Sequence, residues 1–266
     1  MDGYGYVSQL PAELNSPVEG VMIFHGNTAK DNDPVDGRGS WSLLRPGNGV
    51  GFTCDNDTNH YSDRFGVELT FARKLKELEP GKKIAIIKYS KGGTSIDTAA
   101  AGTFGCWFPD FRKGNGVNQF DHFQATVKNA LSHQDIDGDG RPDKLIPSGI
   151  VWMQGESDAN NTYSASVYKK NLAEIISLIR KEFNSPEMPV VIGRISESHQ
   201  DSDSIVWTYG DIVRQAQADF VKEDGKAAMV TSTDNYAYSD PWHYDTKGYI
   251  DLGEQFAKAI AELHAR

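Results

Sequence analysis

The sequence predicts an α/β domain of three layers, α/β/α, around a mainly parallel five-stranded sheet. Two observations predict it. Short β-branched apolar runs recur along the chain, and helix-period patterns separate them. The runs are almost continuously apolar, as expected of strands buried on both faces. The length of 266 residues, with no repeat and no low-complexity linker, fits one domain over residues 1–266.

In chain order, the first strand is "GVMIFH" (20–25). A helix follows, marked by Phe71, Leu75 and Leu78, and leads into "KIAIIKY" (83–89). Phe123, Val127 and Leu131 mark a helix before "GIVWM" (149–153). Leu172, Ile175, Ile176, Ile179 and Phe183 share one helical face before "MPVVIGRI" (188–195). The fifth strand is "AAMVTS" (227–232), and Tyr249, Leu252, Phe256, Ile260 and Leu263 form the stripe of a C-terminal helix. Two long irregular segments, 31–63 and 100–118, stand out, and loops of that length are often functional.

Composition narrows the function. Apolar residues are 38% of the chain and aromatic residues 11%, enough for a substantial core. A formal charge of −10 argues against a nucleic-acid partner, because phosphate contacts need a basic face. No apolar run reaches membrane-spanning length, so no membrane partner is expected. The opening "MDGYGYVSQLPAEL" does not read as a secretory signal, so either the protein stays inside the cell or a leader has been removed. Cys54 and Cys106 both lie in loop-like, Gly-rich sequence. A disulfide and two free thiols are both open, and their separation is not that of a zinc site.

In such sheets, sites form beyond the carboxyl ends of the strands. The first end carries "HGNTAK", where Gly26 allows a tight turn and Thr28 offers a hydroxyl. The second carries "YSKGGTSI", where Gly92 and Gly93 let backbone N–H groups approach a ligand. The third carries "WMQGESDA", with the neutral amide of Gln154 and the carboxylates of Glu156 and Asp158. The last region, "DPWHYDTKGY", places Asp240 three residues before His243. That spacing lets a carboxylate orient one imidazole nitrogen and leaves the other as a base.

Each piece has an ordinary explanation. A glycine pair is more often a turn, and a lone histidine more often structural. Glu156 and Asp158 could simply sit in the first turn of a helix, the reading preferred for Glu156. Their occurrence in order, each at a strand end, is hard to ascribe to accident.

These blocks resemble the SGNH/GDSL hydrolase superfamily, and more narrowly the sialate O-acetylesterase and acetylxylan esterase-like carbohydrate esterases. The resemblance runs from about Val21 to the C-terminus and is most specific at "GIVWMQGESDA". It implies a flavodoxin-like parallel sheet, deacetylation of sugar esters, and no cofactor for the chemistry. Members carry Gly-Gln-Ser-Asn after the first strand, and the serine is the nucleophile. Here Gly26 aligns with the glycine, Asn27 with the glutamine, Thr28 with the serine and Ala29 with the asparagine. A register shifted by one residue would put Ala29 on the nucleophile instead.

Thr28 has a hydroxyl of ordinary acidity, but its extra methyl restricts the side chain and crowds the tetrahedral centre. The implied mechanism is acyl transfer. Thr28 attacks the ester, His243 takes its proton, and Asp240 orients the ring. The N–H groups of Thr28 and Gly93 (or Gly92) and the Gln154 amide hold the oxyanion. Asn27, Trp107, Glu156 and Trp242 are the candidate substrate contacts. Trp41, Trp107, Phe108 and Trp242 suit sugar platforms but are also ordinary core plugs; the first reading is better for Trp107, since the long loop after the second strand should border the cleft. Arg64 and Lys91 are candidates for contact with an acidic sugar, or are solvated charges.

"DIDGDGRPD" (135–143) spaces Asp135, Asp137, Asp139 and Asp143 like a calcium loop, but the twelfth position is Ile146 rather than glutamate. A structural Ca²⁺ site away from the chemistry is expected there, against the alternative of a polar turn. Three functions are carried forward: an extracellular or periplasmic carbohydrate O-acetylesterase, a non-catalytic carbohydrate-binding relative, and an esterase on small non-sugar esters.

Overall fold

The computed structural model describes residues 2–28, 33–112 and 118–266. In chain order its elements are β1 (Gly5–Tyr6), β2 (Val21–His25), β3 (Ser42–Leu43), β4 (Thr53–Asp55), β5 (Thr58–His60), β6 (Arg64–Phe65) and α1 (Glu68–Leu78). There follow β7 (Ile84–Lys88), α2 (Gln119–Leu131), β8 (Ile150–Trp152), α3 (Thr162–Glu182) and β9 (Val190–Gly193). The chain ends with α4 (Gly210–Asp224), β10 (Ala227–Val230) and α5 (Thr246–His264).

All five expected strands form, and they run parallel within two groups. β2 pairs with β7, and β9 lies between β8 and β10. They do not make one continuous five-stranded sheet. The described strands form two three-stranded sheets, β3-β2-β7 and β10-β9-β8, plus two small two-stranded ones. The reason lies at β2. One edge pairs with β7 and the other with the antiparallel β3, through Met22–Leu43 and Ile23–Ser42, so neither edge is left for β8.

Burial on both faces follows from alternation. In β9, Val190 and Ile192 join the core cluster built on α3 and α4, while Val191 joins the cluster built on α1 and α5. The starts of α2, α3 and α5 are each fixed by a side-chain cap. Asn118 accepts from the N–H groups of Phe120 and Asp121, Asn161 from Ser164, and Asp245 from Gly248. Helix α4 was not anticipated from the sequence. Its buried stripe of Val213, Ala216, Gln217 and Phe220 contains a small residue and an amide, which weakens the apolar signal. Gly253 lets α5 press onto α1, because a Cβ there would lie 2.5 Å from the Val67 carbonyl oxygen.

Candidate active site

At the C-terminal end of β7, Lys88 is buried against Glu68, with Nζ 3.0 Å from Oε2. The same ammonium donates to the carbonyl of Asn48, and the Gly66 N–H donates to Glu68. Opposite Lys88 in the ladder stands His25, fully enclosed and stacked on Phe52. Burial, then the Lys88 charge, pushes the His25 imidazole well below its ordinary range and keeps it neutral. This ion pair anchors the strand that leads into the glycine pair.

Beyond it, Gly93 has φ +72°, and a Cβ there would lie 2.6 Å from the Phe104 ring. A side chain at 93 is thus excluded twice, by conformation and by space. The Gly93 N–H has no hydrogen-bond acceptor among the described residues. The Gly92 N–H, expected to be a free donor, instead donates to the Asp2 carboxylate at 3.0 Å.

The turn before α5 presents Asp240 and His243 as expected from their spacing. Asp240 Oδ1 accepts the N–H groups of Trp242 and His243, and the His243 carbonyl accepts from the Ser239 N–H. The imidazole Nδ1 lies 2.8 and 2.9 Å from the two Asp240 oxygens. Burial opposes ionisation of Asp240, but these donors outweigh it and hold its carboxyl below the usual range. With Nδ1–H donated to Asp240, Nε2 is left with the lone pair of a base. The ring of Tyr4 stacks on His243, with centroids 3.5 Å apart and planes at 18°.

At the end of β8, Gln154 is buried, and its amide nitrogen donates to Thr94 O (3.0 Å) and Asp158 Oδ2 (2.7 Å). Both amide hydrogens are therefore engaged, so an oxyanion would have to displace one of these acceptors. Asp158 does stand in the first turn of a short 3-10 helix, Asp158–Asn160, but its carboxylate is directed to another segment. It is fully buried and accepts the backbone N–H groups of Ile96 and Asp97 at 2.9 Å each. Burial pushes its carboxyl up to about 6 against the pull of those donors. Asp158 thus ties the segment after Gly93 to Gln154. Glu156 is half-buried, and its charge adds to burial in raising the phenols of Tyr238 and Tyr244.

The first strand end is placed differently from expectation. Gly26 continues the ladder by donating to Lys88 O, and a Cβ there would strike Thr126. Asn27, expected to meet substrate, uses its side chain to bracket Cys54 and Asp36: Oδ1 accepts from the Cys54 N–H, and Nδ2 donates to Cys54 O and Asp36 Oδ2. Thr28 is half-buried, and among the described residues no hydrogen bond joins it to His243. Ala29, the alternative in the shifted register, lies outside the described residues.

Of the aromatic candidates, Trp242 is 59% exposed beside His243. Trp107 is a correction: it is 6% exposed, packed edge-on against Trp152, with Nε1 donating to Thr94 Oγ1. The loop after β7 folds it inward, where its indole fills the core rather than bordering a cleft. Trp41 likewise ties its indole to Ala130 O, and Phe108 is half-buried. Arg64 donates to Tyr4 O and stacks over Tyr6, whereas Lys91 lies over the Phe104 ring. Cys54 and Cys106 are both free and buried, which decides against the disulfide. The Cys106 thiol donates to Ile96 O, and burial pushes it up to about 11. Carboxylate oxygens of Asp135, Asp137 and Asp143 lie within 4.8 Å of one another, while Asp139 turns aside to accept from the Arg141 N–H.

Sequence reasoning missed Asp2 and Tyr4, which meet the site from the far end of the chain, and the linking role of Asp158. The acidic residue two places beyond "QGE" was the available signal for the last. Nothing in a short opening segment announced the first two.

Comparison with known proteins agrees with this architecture. A probable carbohydrate esterase of Arabidopsis thaliana is 28% identical over 115 residues, 41% of this chain and 38% of that protein. The chain thus spans well under half the length of that relative. An Arabidopsis thaliana protein of solved structure superposes with TM-score 0.63 at 19% identity, covering 96% of this chain and 85% of that one. A structure described as a novel carbohydrate acetylesterase from Xanthomonas citri gives TM-score 0.63 at 17% identity, over 98% and 54%. A family model described as carbohydrate esterase, sialic acid-specific acetylesterase, matches residues 38–262. That span includes Gly92, Gly93, Gln154, Asp240 and His243 but begins after Thr28. On that match, the chain belongs to the carbohydrate esterase family of sialic acid-specific acetylesterases.

Proposed function

We propose that the protein is a carbohydrate O-acetylesterase working by acyl transfer through a hydroxyl, His243 and Asp240. The observation that carries this reading is the Asp240–His243 pair, with Nδ1 held at 2.8 Å and Nε2 left as base, stacked on the Tyr4 ring, which also reaches Gly92 of the glycine pair. Thr28 supplies the attacking oxygen and His243 Nε2 takes its proton. Asp240 stabilises the imidazolium, and the N–H groups of Thr28 and Gly93 receive the oxyanion. Water then repeats the sequence and releases acetate. Gly92 and Gln154 join the oxyanion site only after releasing Asp2 and either Thr94 or Asp158. Trp242 and Glu156 border the sugar.

Hydrolysis of an aryl acetate by the parent, Thr28→Ala, Thr28→Ser and His243→Ala tests the reading. Loss of about 10²-fold or more in Thr28→Ala and His243→Ala, with a gain in Thr28→Ser, is expected. Equal rates in the parent and Thr28→Ala would defeat it. A second reading, a carbohydrate-binding relative without catalysis, is favoured by the missing Thr28–His243 hydrogen bond and the Asp2 carboxylate on Gly92. Comparison of acetylated xylan, acetylated sialic acid and a plain short-chain ester separates sugar esters from small non-sugar esters.

Two further proposals stand apart from the chemistry. The Asp135–Asp137–Asp143 cluster is the place for a structural Ca²⁺. A location outside the cytoplasm rests on the acetylated-polysaccharide substrate alone, now that both cysteines are free, and fractionation of the source cells tests it. Among the described residues no helix is long and apolar enough to cross a membrane.

A further inference from the structure

Hydrolysis needs an imidazole whose Nε2 keeps facing the attacking hydroxyl, and Asp240 alone does not secure that. A carboxylate bonded at Nδ1 is a pivot about which the ring can still rock. The geometry points to Tyr4 as the positioning residue that removes this freedom, an inference that rests on the hydrolase reading above. Its ring covers one face of His243 nearly in parallel, at 3.5 Å between centroids, while the hydrogen bonds of the imidazole among the described residues are at Nδ1 and not at Nε2.

Tyr4 can do this because its own backbone is held on every side. Asp2 binds the Gly92 N–H at 3.0 Å. Gly3 accepts from the Val50 N–H and lies so close to Gly66 that a Cβ would approach its Cα to 2.8 Å. The Tyr4 carbonyl accepts from Arg64 at 2.7 Å. Gly5 and Tyr6 pair with Phe65 and Arg64, and the Tyr6 N–H donates to Thr246 Oγ1, three residues beyond His243. The segment is therefore pinned both to the glycine pair and to the start of α5.

The chemistry gains as well. When the hydroxyl O–H breaks and the proton forms a bond to Nε2, the oxygen electron pair attacks the carbonyl carbon and the ring becomes a cation. The electron-rich face of a neutral aromatic ring favours that cation. Burial, reinforced by Asp2 and Asp240 and opposed by Arg64, raises the Tyr4 phenol and keeps it neutral. The charged groups around the stack are Asp240 on the histidine's own turn and Asp2 and Arg64 beside Tyr4.

Two variants and one spectrum test the inference. Tyr4→Phe keeps the ring and should stay within about twofold of the parent. Tyr4→Leu should lower kcat about tenfold with KM changed less than about twofold, since misplacement of a reacting group falls on the chemical step. A loss confined to KM, or an equal loss in Tyr4→Phe, overturns the proposal. Proton NMR of the parent, with His243→Ala for assignment, gives a readout that needs no turnover. The His243 ring protons should be shifted upfield by the Tyr4 ring current, and likewise in Tyr4→Phe. Unshifted ring protons overturn the proposal whether or not any ester is cleaved. Shifted protons in a protein without hydrolysis support the placement and defeat only the hydrolase reading.

Discussion

Replacing Lys88 by methionine isolates the charge pair beneath the site. Glu68 is 5% exposed and Lys88 8%, so neither charge has water to fall back on. Without the ammonium, Glu68 keeps, among the described residues, only the Gly66 N–H as side-chain partner, and the Asn48 carbonyl loses the Lys88 donor. An uncompensated buried carboxylate of this kind costs about 3–5 kcal/mol. For a domain of this length that lowers Tm by about 10 °C. Removing both charges together, as Lys88→Met with Glu68→Leu, should return stability to within about 2 kcal/mol of the parent, because the desolvation cost of both ions disappears with their attraction. Urea unfolding of the parent, both single variants and the double, followed by tryptophan fluorescence, closes the cycle. The reasoning fails if Lys88→Met lies within about 1 kcal/mol of the parent, or if the double variant is less stable than both singles. Either result would mean that water or a rearranged neighbour already solvates Glu68.

Asp158 and the aspartate loop give two further predictions. Burial raises the folded-state Asp158 carboxyl to about 6 from the ordinary 3.8, so its stabilising contribution is complete only below 3.8 and is lost as pH rises through 6. The difference in unfolding free energy between the parent and Asp158→Asn should therefore fall by about 2 kcal/mol from pH 4 to pH 7; a pH-independent difference would refute the assignment. At the aspartate loop, millimolar Ca²⁺ should raise Tm by mass action and Asp135→Asn should abolish the rise. Lys83, whose ammonium pairs with Asp137 at 2.7 Å, is the competitor the ion must displace, and a Tm indifferent to Ca²⁺ in the parent would show that Lys83 suffices.

The parts of this molecule that were legible in the sequence are those written in local pattern. The five strands stood out because burial on both faces leaves a run such as "MPVVIGRI" without polar interruption. Asp240 and His243 were legible because a three-residue spacing in a turn nearly determines their contact. What escaped were features decided by long-range pairing. The sheet divides because β2 accepts Ser42–Leu43 on its second edge, and two residues carry no strand signal of their own. Trp107 turned inward because Trp152 and Thr94, distant in sequence, offered its indole a partner and a packing surface. The Gln154 amide reads as a free donor until Asp158 and Thr94 are seen to claim both its hydrogens.

The same distinction bears on the chemistry. Asp240 and His243, whose contact follows from local spacing, are joined by hydrogen bonds of 2.8 and 2.9 Å. Thr28, the proposed nucleophile, stands at a different strand end and has no hydrogen bond to His243 among the described residues. Asn27 explains part of this, since three hydrogen bonds direct its side chain toward Cys54 and Asp36 and fix the turn that carries Thr28. On the proposed mechanism, a serine at 28 gains by shedding the methyl that crowds the rotation of the threonine side chain.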